Sequence, residues 1–404
     1  MNATQILDAT TQSAQFNLGK CRSKHIIAHP CTTRNLFYAS TCSLKGQNKT
    51  HLIEFKEDEN KIYNLESYEN EGIIRQVVPD SRNEERFYTI YSTCKYLVRQ
   101  QLLQNTICKL IQLLFKSNKL VDQAGNEKTG FNLKGSSVKG SGEDINSVQQ
   151  PIFSQNFDTY IHSLVNRLKD QNKLYFGETH HLNVFDIQKQ QVSLKLNEGE
   201  SGSNLCDVDP HHNDYVASAQ NNGSILIHDI RTQKPEYVIK NAHRLRVHDL
   251  DFNPLKLYYF QSVGEDNTIK FWELRKPNLP MKVIDKLNNI PLSCKYNKVH
   301  DQLLITACKI NFQFTNLSLN LLFNLIQVND GTLGLYRVMS MSSYPDQTAQ
   351  KEPDGLIKTY DQHENTVYSV SWSNLSSWIF ASISYQGDIV VNMVPSSIKH
   401  RILY

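Results

Sequence analysis

A repeat with a period of 43 to 44 residues is the feature of this 404-residue sequence that most restricts its fold. Three segments share the approximate order apolar, polar, apolar, aromatic or His, acidic, apolar, and each follows a turn signal. They are residues 182–187 (LNVFDI), 225–230 (ILIHDI) and 269–274 (IKFWEL). Their fourth positions, Phe185, His228 and Trp272, are 43 and 44 residues apart. This period is typical of the four-stranded blade of a β-propeller.

A second spacing agrees with the first. In four repeats, a polar residue that ends an apolar strand stands 19 residues before the fourth position. These residues are Asn166, Asp209, Asn253 and Ser373, which precede Phe185, His228, Trp272 and Asn392. Between Asn297 and Tyr336 the interval is 39 residues, which indicates an insertion of 20 residues. A repeat at 52–55 and another with strands at 72–78 and 86–91 bring the number of blades to seven. The sequence therefore predicts an all-β, seven-bladed WD-repeat β-propeller with loop insertions.

The remaining residues are expected to form insertions within one propeller that spans residues 1–404. Polar loops are expected at 116–150 and 340–358. Residues 121–150 contain no strand-length alternating run, and 340–358 is a polar stretch. Segment 309–327 is apolar, and its composition resembles translated AT-rich non-coding sequence. A functional loop and a retained intron in the gene model are therefore both open interpretations. The third strand of the second blade is expected at 96–98 or later.

The ring must also be closed by a strand from one end of the chain. An open sheet edge in the last blade would pair with other chains and cause aggregation. Either residues 15–21 or residues 397–404 could supply this strand.

Composition and charge exclude several classes of function. The 43 Lys and Arg residues against 40 Asp and Glu give a net charge of +3, so sequence-independent electrostatic binding of nucleic acid is not predicted. No two of the eight cysteines form a Cys-x-x-Cys pair near paired histidines, and no metal or cofactor is predicted. Residues 1–15 lack the features of a secretory signal, and no transmembrane segment is evident. We expect a cytoplasmic protein without disulfides.

Four polar or aromatic residues of the best-formed repeat are expected to form a buried structural network: His243, Ser262, Asp266 and Trp272. Buried polar groups need such partners. Ser, His and Asp could also be interpreted as a hydrolase triad. However, the 29-residue interval from His243 to Trp272 recurs from His363 to Asn392, and recurrence within a fold points to structure rather than to one active site.

The sequence resembles the EARP- and GARP-complex-interacting proteins, a WD-repeat family of endosomal trafficking. The resemblance is carried by 241–254 (NAHRLRVHDLDFNP), 271–275 (FWELR), 296–304 (YNKVHDQLL), 368–372 (YSVSW) and 380–385 (FASISY). It is specific from about 155 to 404 apart from the insertion, weaker from 15 to 78, and lost between about 92 and 150. It implies a non-enzymatic scaffold that binds EARP and GARP tethering complexes, peripheral at endosomes and the trans-Golgi network, in recycling and retrograde transport.

Two positions depart from the family pattern. Gln386 stands where the last blade of the family has an acidic turn residue, and Glu273 replaces the Asp of the Trp-Asp pair.

Other functions stay open because a propeller fold does not specify one. The runs HDIR (228–231) and WELR (272–275) approximate the Trp-Asp-x-Arg pattern with which some WD proteins dock to a cullin-ligase adaptor. Arg231 and Arg275 would then contact the adaptor through their planar guanidinium groups. The alternative function is thus a substrate receptor of a cullin-type ubiquitin ligase. No arrangement of nucleophile, base and acid indicates an enzyme.

Overall fold

A computed structural model of the chain describes residues 13–19, 21–43, 47–70, 72–80, 84, 86–92, 131–137, 150–157, 161–166, 173–178, 180–197, 203–212, 214–285, 287, 289–309, 331–343 and 354–403. These residues form seven antiparallel sheets of four strands each. The predicted all-β propeller of seven blades is therefore confirmed.

The strands of the first three blades follow one another along the chain. Blade 1 consists of β2 (Ser23–Ala28), β3 (Asn35–Thr41), β4 (Asn48–Lys56) and β5 (Lys61–Asn70). Blade 2 consists of β6 (Ile73–Pro79), β7 (Arg86–Ser92), β8 (Phe131–Ser137) and β9 (Gln150–Phe157). Blade 3 consists of β10 (Ile161–Asn166), β11 (Lys173–Glu178), β12 (His181–Asp186) and β13 (Gln191–Asn197).

Three further blades have the same order. Blade 4 consists of β14 (Ser203–Val208), β15 (Tyr215–Gln220), β16 (Ile225–Asp229) and β17 (Lys234–Ile239). Blade 5 consists of β18 (Val247–Phe252), β19 (Tyr259–Gly264), β20 (Thr268–Glu273) and β21 (Lys282–Ile284). Blade 6 consists of β22 (Ile290–Tyr296), β23 (Leu303–Lys309), β24 (Gly331–Arg337) and β25 (Gly355–His363), with a 3₁₀ turn at Met339–Met341.

Blade 7 joins both ends of the described chain. It consists of β26 (Val367–Trp372), β27 (Ile379–Ser384), β28 (Asp388–Met393) and, as its outer strand, β1 (Ser13–Asn17). Of the two closing segments that the sequence left open, the earlier one therefore supplies the strand, shifted by a few residues. Helix α1 (Ser396–Leu403) occupies the later one, and its Ile398 packs in the core of blades 6 and 7.

The repeated segments of the sequence are the third strands of their blades. Residues 182–187, 225–230 and 269–274 fall on β12, β16 and β20. The four strands of a blade alternate in direction, so the loop after the first strand and the turn after the third emerge on one face of the ring. We call this face the lower face. The turn after the second strand and the connection to the next blade lie on the upper face.

The core is a ring of contacts between neighbouring blades. The first strands of consecutive blades contact one another all the way round, including β26 with β2. Seven hydrophobic clusters follow the seven blade boundaries. At the boundary of blades 4 and 5, for example, Ala217, Ile227, Leu250 and Phe260 are fully buried. Each blade is therefore stabilised by both of its neighbours rather than by a core of its own.

The expected polar loop over 116–150 is wrong at residues 131–137 and at residue 150. Strand β8 pairs along its full length with β7 and β9, so the third strand of blade 2 lies well beyond 96–98. Its sequence, FNLKGSS, carries little alternation. Pairing on both edges, rather than local preference, explains the strand. The other residues of 116–149 lie outside the described ranges.

The structure tests the predictions for the second polar loop and for the apolar insertion to different extents. Residues 355–358, expected in the 340–358 loop, belong to β25 and pair with β24, so the prediction is wrong there. Lys309, the first residue of the insertion, ends β23. The rest of 309–327 lies outside the described residues.

Candidate interaction surfaces

The structure brings together the four residues of the predicted polar network in blade 5. His243, which precedes β18, directs Nε2 to Ser262 Oγ at 2.7 Å and Nδ1 to Asp266 Oδ1 at 2.8 Å. The indole Nε1 of Trp272 donates to the same Ser262 Oγ at 2.9 Å. Because the carboxylate accepts from Nδ1–H, Nε2 is the acceptor for the serine hydroxyl. The chain of donors and acceptors is complete from the turn to the indole.

The electrostatics of this network favour a neutral imidazole. Burial lowers the pKa of His243, and the adjacent carboxylate of Asp266 only partly opposes this. Burial alone would raise the pKa of Asp266, but hydrogen bonds from His243, Thr268 and the Arg244 amide hold it well below its usual range.

Ser262 lacks the accessibility that a nucleophile requires. Its side chain is fully buried, and its Oγ already contacts both the imidazole of His243 and the indole of Trp272. A substrate carbonyl has no approach to this oxygen, so the geometry gives these residues a role in packing.

Blade 7 carries a reduced version of the same network, and blade 4 keeps only its serine. In blade 7, His363 Nε2 lies 2.7 Å from Ser382 Oγ, while Gln386 occupies the turn and Asn392 the position of the tryptophan. Burial lowers the pKa of His363 to about 4. In blade 4, Ser218 has the same register, but its buried hydroxyl has no hydrogen-bond partner among the described residues.

Arg231 and Arg275 occupy equivalent turns on the lower face of blades 4 and 5. Arg231 Nη2 lies 3.5 Å from Asp229 Oδ2, and Arg275 Nη2 lies 2.8 Å from Glu273 Oε1. The guanidinium of Arg275 also lies 4.8 Å from the ring centre of Tyr258. Both side chains are exposed, but each interacts with an acidic residue of its own blade.

The polar residues used as spacing markers in the sequence organise the loops of the lower face. Asn253 Oδ1 accepts the amides of Leu255 and Lys256 at 2.9 and 2.8 Å, and Asn297 Oδ1 accepts two amides at 3.0 Å. In blade 7, Ser373 Oγ accepts the Leu375 amide at 3.2 Å. These three markers thus cap the turn between the first two strands of their blades.

The same residues also link neighbouring blades. Asn253 Nδ2 donates to Asp301 of blade 6 at 3.3 Å, Asn297 Nδ2 donates to the Ser377 carbonyl of blade 7, and Asn166 Nδ2 donates to the Pro79 carbonyl of blade 2 at 3.4 Å. Sequence reasoning found the period of these residues but not this function, because their partners lie on a different repeat.

A central channel of about 440 Å³ is lined by the first strands of all seven blades. Side chains of one first strand accept backbone N–H groups of the next at six boundaries. The pairs, with the accepting side chain first, are His25 and Val77, Gln76 and Leu164, Ser163 and Cys206, Asp207 and Phe252, Asp249 and Cys294, Asp251 and Tyr296, and Ser371 and Ala28. These bonds satisfy several N–H groups of the inner strand edges without a continuous sheet across the channel.

Acidic groups are concentrated on one part of the channel wall. Burial, followed by the charge of Asp251, raises the pKa of Asp207 to about 7, and burial raises that of Asp251 to about 6. Lys295 Nζ lies 3.1 Å from Asp249 Oδ1 and 3.8 Å from Asp251 Oδ1. The lysine therefore compensates part of the negative charge in this cluster.

Basic groups line the channel nearer the upper face. Burial and then the charge of Arg246 lower the pKa of Arg75 to about 9. Burial likewise lowers the pKa of Lys24, which lies 5.2 Å from the ring centre of Tyr368.

Within the part of the chain that the structure describes, one group of side chains has ligand atoms close enough to hold a metal ion: His29, Cys31 and Glu84. Both nitrogens of the His29 ring already form protein hydrogen bonds, with the Glu84 carbonyl at 2.9 Å and the Cys31 amide at 3.1 Å. A metal would have to displace one of these bonds, so the geometry favours a structural histidine. Among the described residues, no helix is long and apolar enough to cross a membrane.

Comparisons with known proteins agree with the fold and cover most of the chain. A family model described as WD domain, G-beta repeat matches residues 355–391. An EARP-interacting protein homolog from Gekko japonicus is 30% identical over 386 residues, which cover 91% of this chain and 92% of the relative. EARP and GARP complex-interacting protein 1 from Macaca fascicularis is 28% identical over 387 residues, with the same coverage of both chains. The Homo sapiens protein of that name is 35% identical over 200 residues, 48% of this chain and 50% of its own. The chain therefore belongs to the WD-repeat family of EARP- and GARP-complex-interacting proteins.

Proposed function

We propose that this protein is a non-enzymatic propeller scaffold that binds the EARP and GARP tethering complexes. The observation that carries the proposal is the similarity to proteins named for these interactions, which extends over 91% of the chain. Through these partners the protein would be peripheral at endosomes and the trans-Golgi network. There it would support endosomal recycling and retrograde transport from endosomes.

The geometry of the ring supports a scaffold. The described blades are joined by hydrophobic clusters and by hydrogen bonds between their inner strands, which favours a rigid body with two broad faces of loops. A large multisubunit partner needs such an extended surface, and binding energy then concentrates in a few central side chains. The one described constellation with the residue types of a hydrolase triad is buried in a blade.

The cullin-ligase alternative is favoured by one observation. Arg231 and Arg275 share a register on neighbouring blades and are exposed on the same face. Arg231 and Arg275 form ion pairs with Asp229 and Glu273, so no partner protein is needed to explain their positions. Any adaptor would have to compete with these intramolecular contacts. We therefore rank this function second.

Affinity capture of the tagged, full-length protein from cells tests both functions. We expect EARP and GARP subunits among the captured chains. In the Arg231→Ala/Arg275→Ala variant we expect the same subunits in the same amount, because each guanidinium group is already paired with an acidic residue of its own blade. Recovery of a cullin adaptor from the unmutated protein, its loss in the double variant and no tether subunit in either sample would replace the first function with the second.

A further inference from the structure

The lower face of blades 5, 6 and 7 exposes aliphatic side chains at one repeated loop position. Leu255, Val299 and Leu375 each stand two residues after the polar residue that caps the loop, and they are 43, 51 and 43% exposed. Leu257, in the loop of blade 5, is 50% exposed. The amide of each repeated residue bonds to the capping side chain, so the backbone of the turn is fixed and the aliphatic side chain faces outward.

The three loops are in direct contact. Lys298 Nζ, beside Val299, donates to Asn374 Oδ1, beside Leu375. The loop of blade 5 is joined to blade 6 by the hydrogen bond from Asn253 to Asp301. We name the surface formed by Leu255, Leu257, Val299 and Leu375 the lower apolar arc. It lies on loops of three neighbouring blades that are hydrogen-bonded to one another.

The charges next to the lower apolar arc are basic. Lys256 stands between the two leucines of blade 5, and Lys298 precedes Val299. The acidic residue of these loops, Asp301, is 1% exposed, and its oxygens accept hydrogen bonds from Ser342 and the Ser343 amide. A complementary partner therefore carries apolar side chains together with exposed carboxylates.

The backbone of the arc restricts the conformation of that partner. The arc consists of capped turns, so it offers no strand edge to which an extended peptide could be added. An amphipathic helix can instead present apolar side chains at positions three and four residues apart to the arc, with acidic residues along its borders facing the lysines.

We propose that the lower apolar arc docks an acidic amphipathic helix of a tethering-complex subunit. This inference rests on the proposed function and specifies the face of the propeller through which it operates. Arg231 and Arg275 follow third strands, farther from the channel axis, and lie outside the arc.

The test compares aspartate variants on the two faces of the propeller. Leu255→Asp/Val299→Asp/Leu375→Asp introduces carboxylates on the arc, where they would repel an acidic helix and remove its apolar contacts. Leu245→Asp is the matched control, because Leu245 is 54% exposed in the connection between β17 and β18 on the upper face. Each tagged full-length variant is captured from cells, and tether subunits are quantified against the bait. Melting temperatures of the purified variants check the fold.

We expect the triple variant to retain at least tenfold less tether than the unmutated protein and Leu245→Asp to retain the same amount. If the triple aspartate variant melts early, the serine variant at the same three positions should still lose most of the tether. Lys256→Glu/Lys298→Glu should also weaken capture, and its effect should shrink as salt is raised.

Three results would overturn the inference. Undiminished capture by the triple variant would place the contact elsewhere while leaving the proposed function intact. Equal losses in the triple variant and in Leu245→Asp would show that the arc has no special role. A dimer of the unmutated protein that becomes a monomer in the triple variant would identify a second copy as the occupant. Absence of tether subunits from the unmutated sample would instead reject the proposed function itself.

Discussion

Three serines at one register of the second strand offer a graded test of the polar network. Ser262, Ser382 and Ser218 lie in β19, β27 and β15, each two residues after the residue that pairs with the fourth position of its repeat. They are all fully buried. They differ in their partners, so the same Ser→Ala change has a different expected effect in each blade.

The magnitudes follow from the number of groups left without a partner. Ser262→Ala removes the oxygen shared by Trp272 Nε1 and His243 Nε2. Each buried group left without a partner costs about 1–3 kcal/mol, so the loss is roughly 2–6 kcal/mol. Ser382→Ala leaves one side-chain group, the Nε2 of His363, without its partner and also removes a 3.2 Å hydrogen bond to the Val390 carbonyl, for a loss of about 1–3 kcal/mol. Ser218→Ala removes a hydroxyl with no described partner, and the expected change is within about 0.5 kcal/mol.

Thermal unfolding of the three purified variants, repeated in urea at fixed pH, measures this order. The expected ranking of destabilisation is Ser262→Ala, then Ser382→Ala, then Ser218→Ala. Equal losses at all three positions would show that the serines act through packing volume alone. A loss at Ser218 as large as that at Ser262 would refute the argument from hydrogen-bond partners.

Three further predictions concern individual side chains. His243→Ala and Asp266→Ala should each destabilise the fold by about 1–3 kcal/mol, and the double variant should lose less than the sum; additive losses in urea unfolding would mean that the two do not share a network. The pKa of His363 is about 4, so the folded state keeps this ring neutral and its stability falls as pH drops below about 6.5, by roughly 3 kcal/mol at pH 4. His363→Gln should flatten that part of the pH profile of the melting temperature, and an unchanged profile would contradict the assignment. The pKa of Asp207 is about 7, above its unfolded value, so its charge penalises the fold increasingly as pH rises from about 4 to 7. Asp207→Asn keeps only one of the two oxygens that accept the Phe252 and Val208 amides, so the prediction concerns its pH dependence: the melting temperature of the variant relative to the unmutated protein should be higher at pH 8 than at pH 4, and an equal or lower relative value at pH 8 would contradict this.

The number of blades could be predicted from the sequence because equivalent positions of each blade have equivalent packing environments. Residues such as Phe185 and Trp272 occur at fixed intervals, since each third strand fits between equivalent neighbours. Strand β8 was not predicted because its own sequence lacks such a repeated pattern. It contains Gly135 and two serines, and its place in the sheet is set by pairing with β7 and β9 rather than by its own preferences.

The candidate site was less predictable than the fold because its contacts cross from one repeat to the next. The His243 network lies within one blade, so spacing was enough to find it. The roles of Asn253 and Asp251 depend on atoms of blade 6, at Asp301 and Tyr296. An interval within a single repeat carries no information on such contacts. The aliphatic residues of the lower apolar arc became apparent only when exposure could be compared between loops.

The pairing of β1 with β28 has a consequence for synthesis on the ribosome. Asn17 and Asp388 are bonded across a separation of 371 residues. At about 5–20 residues per second, β1 would wait roughly 20 to 75 seconds after its own synthesis before its partner strand is made. During this interval its backbone N–H and C=O groups lack their native partners, and the edge of the nascent chain is available to chaperones or to other strands. The last blade therefore forms after translation of nearly the whole chain, and the loop-closure entropy of that step makes it a slow point of folding.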